Sequence, residues 1–219
     1  MILKHYSYAA LFLVLFLITS CKTARLQKNT ASEHIEQLKN GALLVRLRTQ
    51  EAKVEALKEV QKVALAEEIQ KEQEVQNERI ITAFDQYFDF CPVLFFYAKD
   101  SKLIRDRSFE GIIFNAKKEN ISDTALENKV FYIADFGNIE EPGVVTRLEG
   151  LSIRDSSFQQ LQSPFPYAVS VNSFLAGENV EERTVQVFNA KLESYHISAQ
   201  YRRQKQELKR AKRALSSPN

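Results

Sequence analysis

The stretch that decides the fold is Val93-Leu94-Phe95-Phe96-Tyr97-Ala98, which lies between Pro92 and the polar pair Lys99-Asp100. An unbroken apolar run of this length is typical of a strand that is buried on both faces. Pro92 disfavours helical geometry at Cys91, so a helix that precedes the run must end there. We therefore predict a central strand at residues 93–98.

The segment before this strand is predicted to be helical and to follow a first strand. In Leu44-Val45-Arg46-Leu47-Arg48, apolar and basic residues alternate, which predicts a half-buried strand with Val45 and Leu47 toward the core. Residues 50–89 lack Gly and Pro and are rich in good helix formers, so we expect one long helix, with or without a break. Apolar residues recur at helical spacing near both ends of this helix, namely Val54, Leu57, Leu65 and Ile69, then Ile80, Phe84 and Tyr87 or Phe88. Its middle, Glu67–Arg79, is almost wholly polar, so it either projects into solvent or bends.

Further strands and a last helix are predicted downstream. The strand candidates are Gly111–Asn115, Lys129–Asp135, Gly143–Arg147 or Leu151–Arg154, and Tyr167–Asn172. Turn residues separate them at Phe136-Gly137-Asn138 and Glu141-Pro142-Gly143, and Ser163-Pro164-Phe165-Pro166 predicts extended backbone. The last helix is predicted to begin at Asn179 or Val180. It carries one apolar stripe that can dock on a sheet, formed by Val185, Phe188, Leu192, Tyr195 and Ala199.

These elements predict one α+β domain at residues 41–200, followed by a basic helical extension and tail at residues 201–219. We expect a mixed, mainly antiparallel sheet with the last helix packed on one face. The long helix forms a right-handed crossover between the first two strands. The hydrophobic content of 44% and the net charge of +2 are those of an ordinary globular protein.

The N-terminus carries a second informative pattern. Lys4 and His5 precede an apolar run, Ala9–Ile18, which leads into Leu17-Ile18-Thr19-Ser20-Cys21. This arrangement resembles a bacterial lipoprotein signal peptide with its lipobox, which implies cleavage of residues 1–20 and a diacylglycerol on the sulfur of Cys21. The run is about half of the roughly 20 apolar residues that span a bilayer, so a cleaved leader fits better than a transmembrane helix. An ordinary signal peptide that leaves Cys21 as a plain thiol is the other alternative.

Residues 21–40 are predicted to form a lipid-anchored polar tether. Residues 22–40 lack a sustained apolar period and reach at most about 60 Å when extended, with or without a short helix around Ser32 to Lys39. Lys22 is not the aspartate associated with inner-membrane retention in enteric lipoproteins, and no acidic run of the kind linked to surface export in Bacteroidetes follows it. The lipoprotein resemblance therefore implies an outer-membrane anchor that faces the periplasm.

Three segments of the body carry another resemblance. They are Gly41–Leu47, Ile80–Phe96 with Phe88-Asp89-Phe90-Cys91-Pro92-Val93 inside it, and Pro164-Phe165-Pro166-Tyr167. Together they look like an uncharacterised family of lipoproteins from the Bacteroidetes, over most of residues 41–172. That family has no assigned activity, so the resemblance implies a location and no mechanism.

Cys91 is the residue that suggests an enzyme. Phe90-Cys91-Pro92 is similar to the peroxidatic cysteine segment of peroxiredoxins, and the predicted order of elements also fits a thioredoxin-like fold. A reactive thiolate requires a helix N-terminus or a neighbouring cation, whereas Cys91 follows a predicted helix C-terminus and the acidic Asp89. The partner cysteine of a Cys-x-x-Cys motif and the upstream threonine of peroxiredoxins are missing. We therefore expect Cys91 to be a small buried hydrophobic residue, with a redox protein as the alternative.

The C-terminal end is strongly basic, and its cations recur at helical spacing. They are Arg202, Arg203, Lys205, Lys209, Arg210, Lys212 and Arg213, opposed by Glu207. Either they form a solvated helix end whose charges complement the helix dipole, or they contact an anionic surface such as phospholipid headgroups, lipopolysaccharide phosphates or cell-wall carboxylates. No nucleic-acid partner is expected, because the signal directs the protein out of the cytoplasm.

No catalytic or metal site is predicted from the other residues. His34 and His196 are the histidines of the mature chain, and they show no metal-ligand spacing. The acidic pairs at residues 67–68, 140–141 and 181–182 suit solvated positions. We expect no cofactor, and we expect a non-enzymatic, lipid-anchored envelope protein that serves as an accessory, scaffold or binding component, with an envelope protein as a partner. A redox protein using Cys91, and a cell-wall or lipopolysaccharide binder working through the basic helix, are the alternatives.

Overall fold

The computed structural model describes residues 26–140, 148–170 and 177–216, apart from residues 123 and 125. The helices are α1 (residues 26–40), α2 (Glu51–Glu59), α3 (Val63–Tyr87), α4 (Ser101–Arg105) and α5 (Val180–Ser216). The strands are β1 (Ala42–Leu47), β2 (Val93–Tyr97), β3 (Phe131–Ile139), β4 (Leu148–Arg154) and β5 (Ala168–Val169). Short 3₁₀ turns at Ala98–Asp100 and Gly177–Asn179 lead into α4 and α5.

The strands form a five-stranded sheet in the order β2-β1-β3-β4-β5. β1 pairs in parallel with both β2 and β3, whereas β4 pairs antiparallel with β3 and β5. This mixed sheet, with the C-terminal helix packed on one face, confirms the predicted α+β class. The parallel pairing of β1 with β2 is what the predicted crossover requires, and the hand of that crossover stays a prediction.

The first strand was predicted to be half-buried and the second to be central, and the structure shows the reverse. β1 is central and buried on both faces except at Arg46, whereas β2 lies at the edge of the sheet. The alternation that predicted a half-buried β1 begins only at Arg46, because Ala42–Val45 is itself an unbroken apolar run. Hydrogen bonds in both directions between the backbones of Phe95 and Phe114, at 2.8 and 3.0 Å, cover the edge of β2. The strand predicted at residues 111–115 is therefore reduced to isolated bridges at Phe114.

Hydrophobic layers lie on both faces of the sheet. On the first face, α1, α3 and α5 pack over the side chains of β1 such as Val45, and Phe88 stacks on Phe188 with ring centroids 5.8 Å apart. On the second face, Ile104 of α4 and the loops around it pack over Leu44. Because both faces are covered, the apolar run of β1 and the neighbouring pair Phe95 and Phe96 of β2 are buried without strict alternation.

The long helix predicted at residues 50–89, with or without a break, is broken into α2 and α3. α2 ends at Glu59 and α3 begins at Val63, with Gln61 in a left-handed conformation at φ 58° between them. The two helices pack against each other through Val54, Ala66 and Ile69. The prediction that Leu65 belongs to this stripe is wrong, since its side chain is exposed. The break resets the helical phase, so spacing counted across it does not hold.

The turn predicted at Phe136-Gly137-Asn138 is wrong, because β3 runs straight through these residues. Gly137 faces Gly150 of β4 in the ladder, and a Cβ at Gly137 would lie 2.0 Å from Nη2 of Arg48. The glycine therefore permits a close approach and does not reverse the chain. β4 contains Leu151–Arg154 as predicted, while the alternative strand at residues 143–147 and the turn at 141–143 lie outside the described residues.

The last predicted strand is shorter than expected. β5 comprises Ala168–Val169 alone, and residues 171 and 172 of the prediction lie outside the described part of the chain. Residues 163–165 form a turn with a cis Ser163–Pro164 peptide bond, so the prediction of extended backbone there is wrong.

The predicted polar tether is wrong for residues 26–40, which form α1, whereas the short helix that was allowed around Ser32 to Lys39 lies within α1. Ile35 and Leu38 are completely buried in the core of the first face, and Ala31 is almost completely buried there. These residues recur at steps of four and three, but the stripe is too short to stand out among polar neighbours. The folded domain therefore includes residues from 26 onward, instead of beginning at 41.

α5 begins at Val180, as predicted. Its predicted stripe is confirmed, because four of its members are completely buried and Tyr195 is half-buried. The completely buried members are Val185, Phe188, Leu192 and Ala199.

Candidate functional site

α1 and the C-terminal half of α5 lie side by side and run antiparallel. Glu36 of α1 pairs with Nε2 of His196 at 3.2 Å and with Nη1 of Arg203 at 3.5 Å. Nη2 of Arg203 also donates to the carbonyl oxygen of Ser32 at 2.6 Å. As α5 advances, its partners therefore move toward the start of α1. The first turn of α1 and the last turns of α5 consequently project from the same end of the domain.

α5 continues well past its last core contact. Ala199 is its last completely buried residue, and residues 204–215 are all exposed. At a rise of about 1.5 Å per residue, the helix extends roughly 20 Å beyond Arg203, whereas α1 extends roughly 9 Å beyond Ser32. We call residues 204–216 the C-terminal extension. It projects farther than α1 at this end.

The predicted anion-binding residues divide into two groups. Arg203 is bound by α1 and so holds α5 to the body, whereas the guanidinium of Arg202 lies over the ring of Tyr195, within α5 itself, at 5.2 Å. The ammonium of Lys205 lies 6.0 Å from the ring of Tyr201. The remaining predicted cations lie exposed on the C-terminal extension, namely Lys209, Arg210, Lys212 and Arg213.

An exposed apolar stripe runs along the same helix, and the sequence reasoning missed it. Ile197, Tyr201, Leu208 and Leu215 are each more than 60% exposed. Their steps of four and seven place them on one side of α5, about half a turn from the core contact Ala199. Their heptad-like spacing was the signal that could have revealed the stripe. The end of α5 is therefore amphipathic, with apolar residues outward and cations beside them.

Cys91 is buried and is a free thiol among the described residues. Burial raises the pKa of its thiol to about 12, against smaller lowering effects of the Lys39 ammonium and of a hydrogen bond from the backbone of Leu43. Such a thiol is protonated at neutral pH and is a poor nucleophile. The surroundings of Cys91 therefore fit a structural residue.

The two histidines lie in separate structural contacts. The hydroxyl of Tyr132 donates to Oε1 of Gln37 at 2.7 Å, so its oxygen accepts from Nδ1 of His34 at 2.8 Å. Burial lowers the pKa of His34. His196 instead faces Glu36. Within the described ranges, no group of three His, Cys, Asp or Glu side chains is arranged to hold a metal ion.

A cleft of about 540 Å³ opens where the parallel strands β1 and β3 end. Arg46 and Arg48 of β1 and its following loop line it, together with Gly137 of β3 and the start of α5 at Val180. A neighbouring cleft of about 470 Å³, between α2 and α3, shares Arg48 with the first. No site is predicted here from the sequence, because the strand order that places β1 beside β3 cannot be read from it.

Side-chain amides build one wall of this cleft. Gln73 and Asn77 of α3 are buried, and Nε2 of Gln50 donates to Oε1 of Gln73 at 2.7 Å. Nδ2 of Asn77 donates to the carbonyl oxygen of Arg48 at 2.8 Å. These hydrogen bonds tie the loop after β1 to α3 and hold the backbone of Arg48 in place.

None of the helices in the described part of the chain is long and apolar enough to cross a bilayer. No family model matches the chain, and comparisons with curated proteins and with solved structures returned no significant match.

Proposed function

We propose that this protein is a non-enzymatic, lipid-anchored component of the bacterial cell envelope, attached to the periplasmic face of the outer membrane. A diacylglycerol on Cys21 is the first attachment, as its resemblance to a lipoprotein implies. The C-terminal extension of α5 is the second, through contact with anionic headgroups. In this position the domain serves as an accessory, scaffold or binding component for other envelope molecules.

The observation that carries the proposal is the antiparallel contact of α1 with α5. Arg203 and Ser32 are hydrogen-bonded, so the start of α1 and the C-terminal extension share one end of the domain. Cys21 lies five residues before α1 in the sequence and so within about 17 Å of its first residue. Since the extension projects about 10 Å farther than α1, a bilayer that holds Cys21 is within its reach.

The chemistry of this end also fits a membrane surface. Leu26 at the start of α1 is 67% exposed, and it lies at the same end of the domain as the exposed apolar residues Leu208 and Leu215 of α5. Each Lys or Arg close to an anionic leaflet contributes about 1 kcal/mol of attraction, which falls off within a Debye length. A lipid chain combined with a basic amphipathic helix is a strong pair of membrane attachments. This combination supports an anionic lipid surface as the partner, ahead of a soluble ligand.

The rival redox function has little support from the geometry. The thiol of Cys91 is buried, and its pKa is raised to about 12. The nearest cation, Lys39, has its ammonium hydrogen-bonded to the carbonyl oxygen of Phe90 at 2.7 Å. The C-terminal end of α3, at Tyr87, precedes Cys91, so the helix dipole also opposes a thiolate.

The anchor is tested in a bacterium that processes lipoproteins. We expect the full-length chain to fractionate with outer membranes and the Cys21→Ala variant to leave them. The intact mass of the mature protein should show the lipid on Cys21. An unmodified thiol at Cys21, or unchanged membrane fractionation of the variant, would contradict the anchor.

The second attachment is tested with a chain that begins at residue 22, which lacks both the apolar leader and the lipid and so isolates the helix. It should cosediment with phosphatidylethanolamine vesicles only when they contain phosphatidylglycerol, and less at high salt. Replacing Lys205, Lys209, Arg210 and Lys212 by Gln should abolish this binding, whereas four Lys→Gln changes at residues 53, 58, 71 and 117 should not. Binding to purified cell-wall sacculi instead of vesicles would favour the cell-wall alternative and overturn the proposal.

A further inference from the structure

The cleft between the ends of β1 and β3 has the position of a ligand site. β1 lies between β2 and β3 and is parallel to both, and the chain leaves β1 and β3 toward opposite edges of the sheet. In open sheets with parallel strands, ligands bind in the crevice outside the carboxyl ends of such strands. The volume of about 540 Å³ lies within the range of small-molecule sites.

Arg48 presents an unpaired guanidinium to this cleft. No hydrogen bond, ion pair or ring contact engages its side chain within the described ranges. Arg46, the other arginine of the lining, is instead paired with Asp135 at 3.3 Å. Arg48 is therefore the cation in this lining that remains to receive an anion.

The structure makes room for the Arg48 side chain where it lies. Its Nη2 occupies the space that a Cβ of Gly137 would enter, at 2.0 Å. Glycine in a strand interior costs stability, so a glycine at this place indicates that a close approach is needed. With its backbone held by Asn77 and its guanidinium resting over Gly137, Arg48 is positioned before any ligand arrives.

The rest of the lining specifies the class of ligand. Glu149 and Glu181 also border the cleft, so it presents carboxylates as well as a guanidinium. A dianion such as phosphate would be repelled by these glutamates, whereas a molecule with a carboxylate and an ammonium satisfies both signs. The amides of Gln50 and Gln76 add donors and acceptors suited to amide groups, whereas the amide of Gln73 is used by hydrogen bonds within the wall.

We propose that this cleft binds a free amino acid or short peptide, with the carboxylate on Arg48 and the ammonium near Glu149 and Glu181. This site is separate from the membrane attachment and would operate equally in a chain that lacks it. It makes the protein a receptor for small zwitterionic molecules in the envelope.

Calorimetric titration of the purified full-length protein tests this inference, with L-alanyl-L-alanine and L-alanyl-L-glutamine as probes. Saturable binding of at least one dipeptide is expected, together with about tenfold or greater weakening by Arg48→Gln. The same dipeptide with a C-terminal amide lacks the carboxylate, so the parent protein should bind it about as weakly as Arg48→Gln binds the free dipeptide. The affinity for this amide should be the same in the parent and in Arg48→Gln. Arg79→Gln, at an exposed position of α3 outside this cleft, is the matched control and should leave the affinity unchanged.

Two further measurements assign the ends of the ligand. The double variant Glu149→Gln, Glu181→Gln should bind the free dipeptide more weakly than the parent does. Its affinity for the N-acetyl dipeptide, which lacks the ammonium, should equal that of the parent. Circular dichroism of each variant confirms that it is folded. The inference is overturned if neither dipeptide binds, if Arg48→Gln binds as the parent does, or if inorganic phosphate binds and the dipeptides do not. None of these outcomes bears on the vesicle and fractionation experiments, so the two proposals fail separately.

Discussion

Nη2 of Arg203 donates a hydrogen bond to the backbone carbonyl oxygen of Ser32 at 2.6 Å, across 171 positions of sequence. This contact joins the beginning of the described fold to its end. It sets α1 antiparallel to the last turns of α5 and brings both helix ends to one side of the domain. The mode of attachment that we propose depends on this relationship.

Arg203→Gln is expected to lower the free energy of unfolding by about 1–2 kcal/mol. The substitution removes the charged hydrogen bond to Ser32 and the ion pair with Glu36, and the value is discounted because the Arg203 side chain is 42% exposed. Urea unfolding measures the change. Arg210→Gln on the C-terminal extension is the control and should stay within about 0.5 kcal/mol of the parent.

Leu38→Ala is expected to destabilise the domain by about 2–5 kcal/mol. Leu38 is completely buried in the first-face core, so truncation leaves a cavity as well as losing apolar burial. Leu26→Ala, at the exposed start of α1, should change stability by less than about 0.5 kcal/mol. Chemical denaturation measures both variants. If Leu38→Ala lowered the free energy of unfolding as little as Leu26→Ala, α1 would not be part of the core.

The thiol of Cys91 should destabilise the fold at high pH. Its pKa is near 9.0 in the unfolded chain and about 12 in the folded protein, because burial disfavours the thiolate. As pH rises, the unfolded state therefore loses the thiol proton first. The contribution of this thiol to the free energy of unfolding is complete below pH 9 and is lost as pH rises toward 12. The slope is about 1.4 kcal/mol per pH unit at most.

Comparison with Cys91→Ala isolates this thiol, because every other ionisable side chain is present in both proteins. The difference in unfolding free energy between parent and variant should be constant below pH 9 and shrink above it. Reaction with a thiol reagent at neutral pH should be slow in the folded parent and fast in urea. Rapid reaction of folded Cys91 near neutral pH would instead restore the redox alternative.

His34 should destabilise the fold at low pH. Burial lowers its pKa below 6.5, although Glu33 and Asp155 act in the opposite direction. Below pH 6.5 the unfolded chain takes up a proton that the folded protein resists, so stability falls as pH drops toward the folded pKa. His34→Gln should flatten this dependence in urea midpoints measured between about pH 5 and pH 8. An NMR titration of His34 with a midpoint above 6.5 would contradict the assigned direction.

The sequence predicted best those elements whose pattern is long and local. α5 follows from a stripe that recurs through five apolar positions, and its predicted start at Val180 is correct. The helical character of residues 51–59 and 63–87 follows from composition, since Gly and Pro are absent there, although composition left the break between them open. In each case the residues that determine the element are neighbours in the chain, so their spacing is readable without the fold.

Predictions failed where a distant partner determined the outcome. A short helix around Ser32 to Lys39 was one of the expectations, but the burial of α1 was not, because Ala31, Ile35 and Leu38 make a short stripe and their burial depends on the core that they cover. Gly137 was expected to turn the chain, but it lies in β3 beneath the guanidinium of Arg48. The candidate cleft was missed for the same reason, since β1 and β3 are more than eighty residues apart in sequence.

The sequence by itself determined the α+β class, the apolar strands, the last helix with its basic end and the environment expected for Cys91. The tertiary structure alone decided that β1 is central and β2 is at the edge, that the start of α1 lies beside the end of α5, and that Arg48 meets Gly137. The physical reason is that periodicity reports which face of an element is buried, whereas only long-range packing and strand pairing select what covers that face.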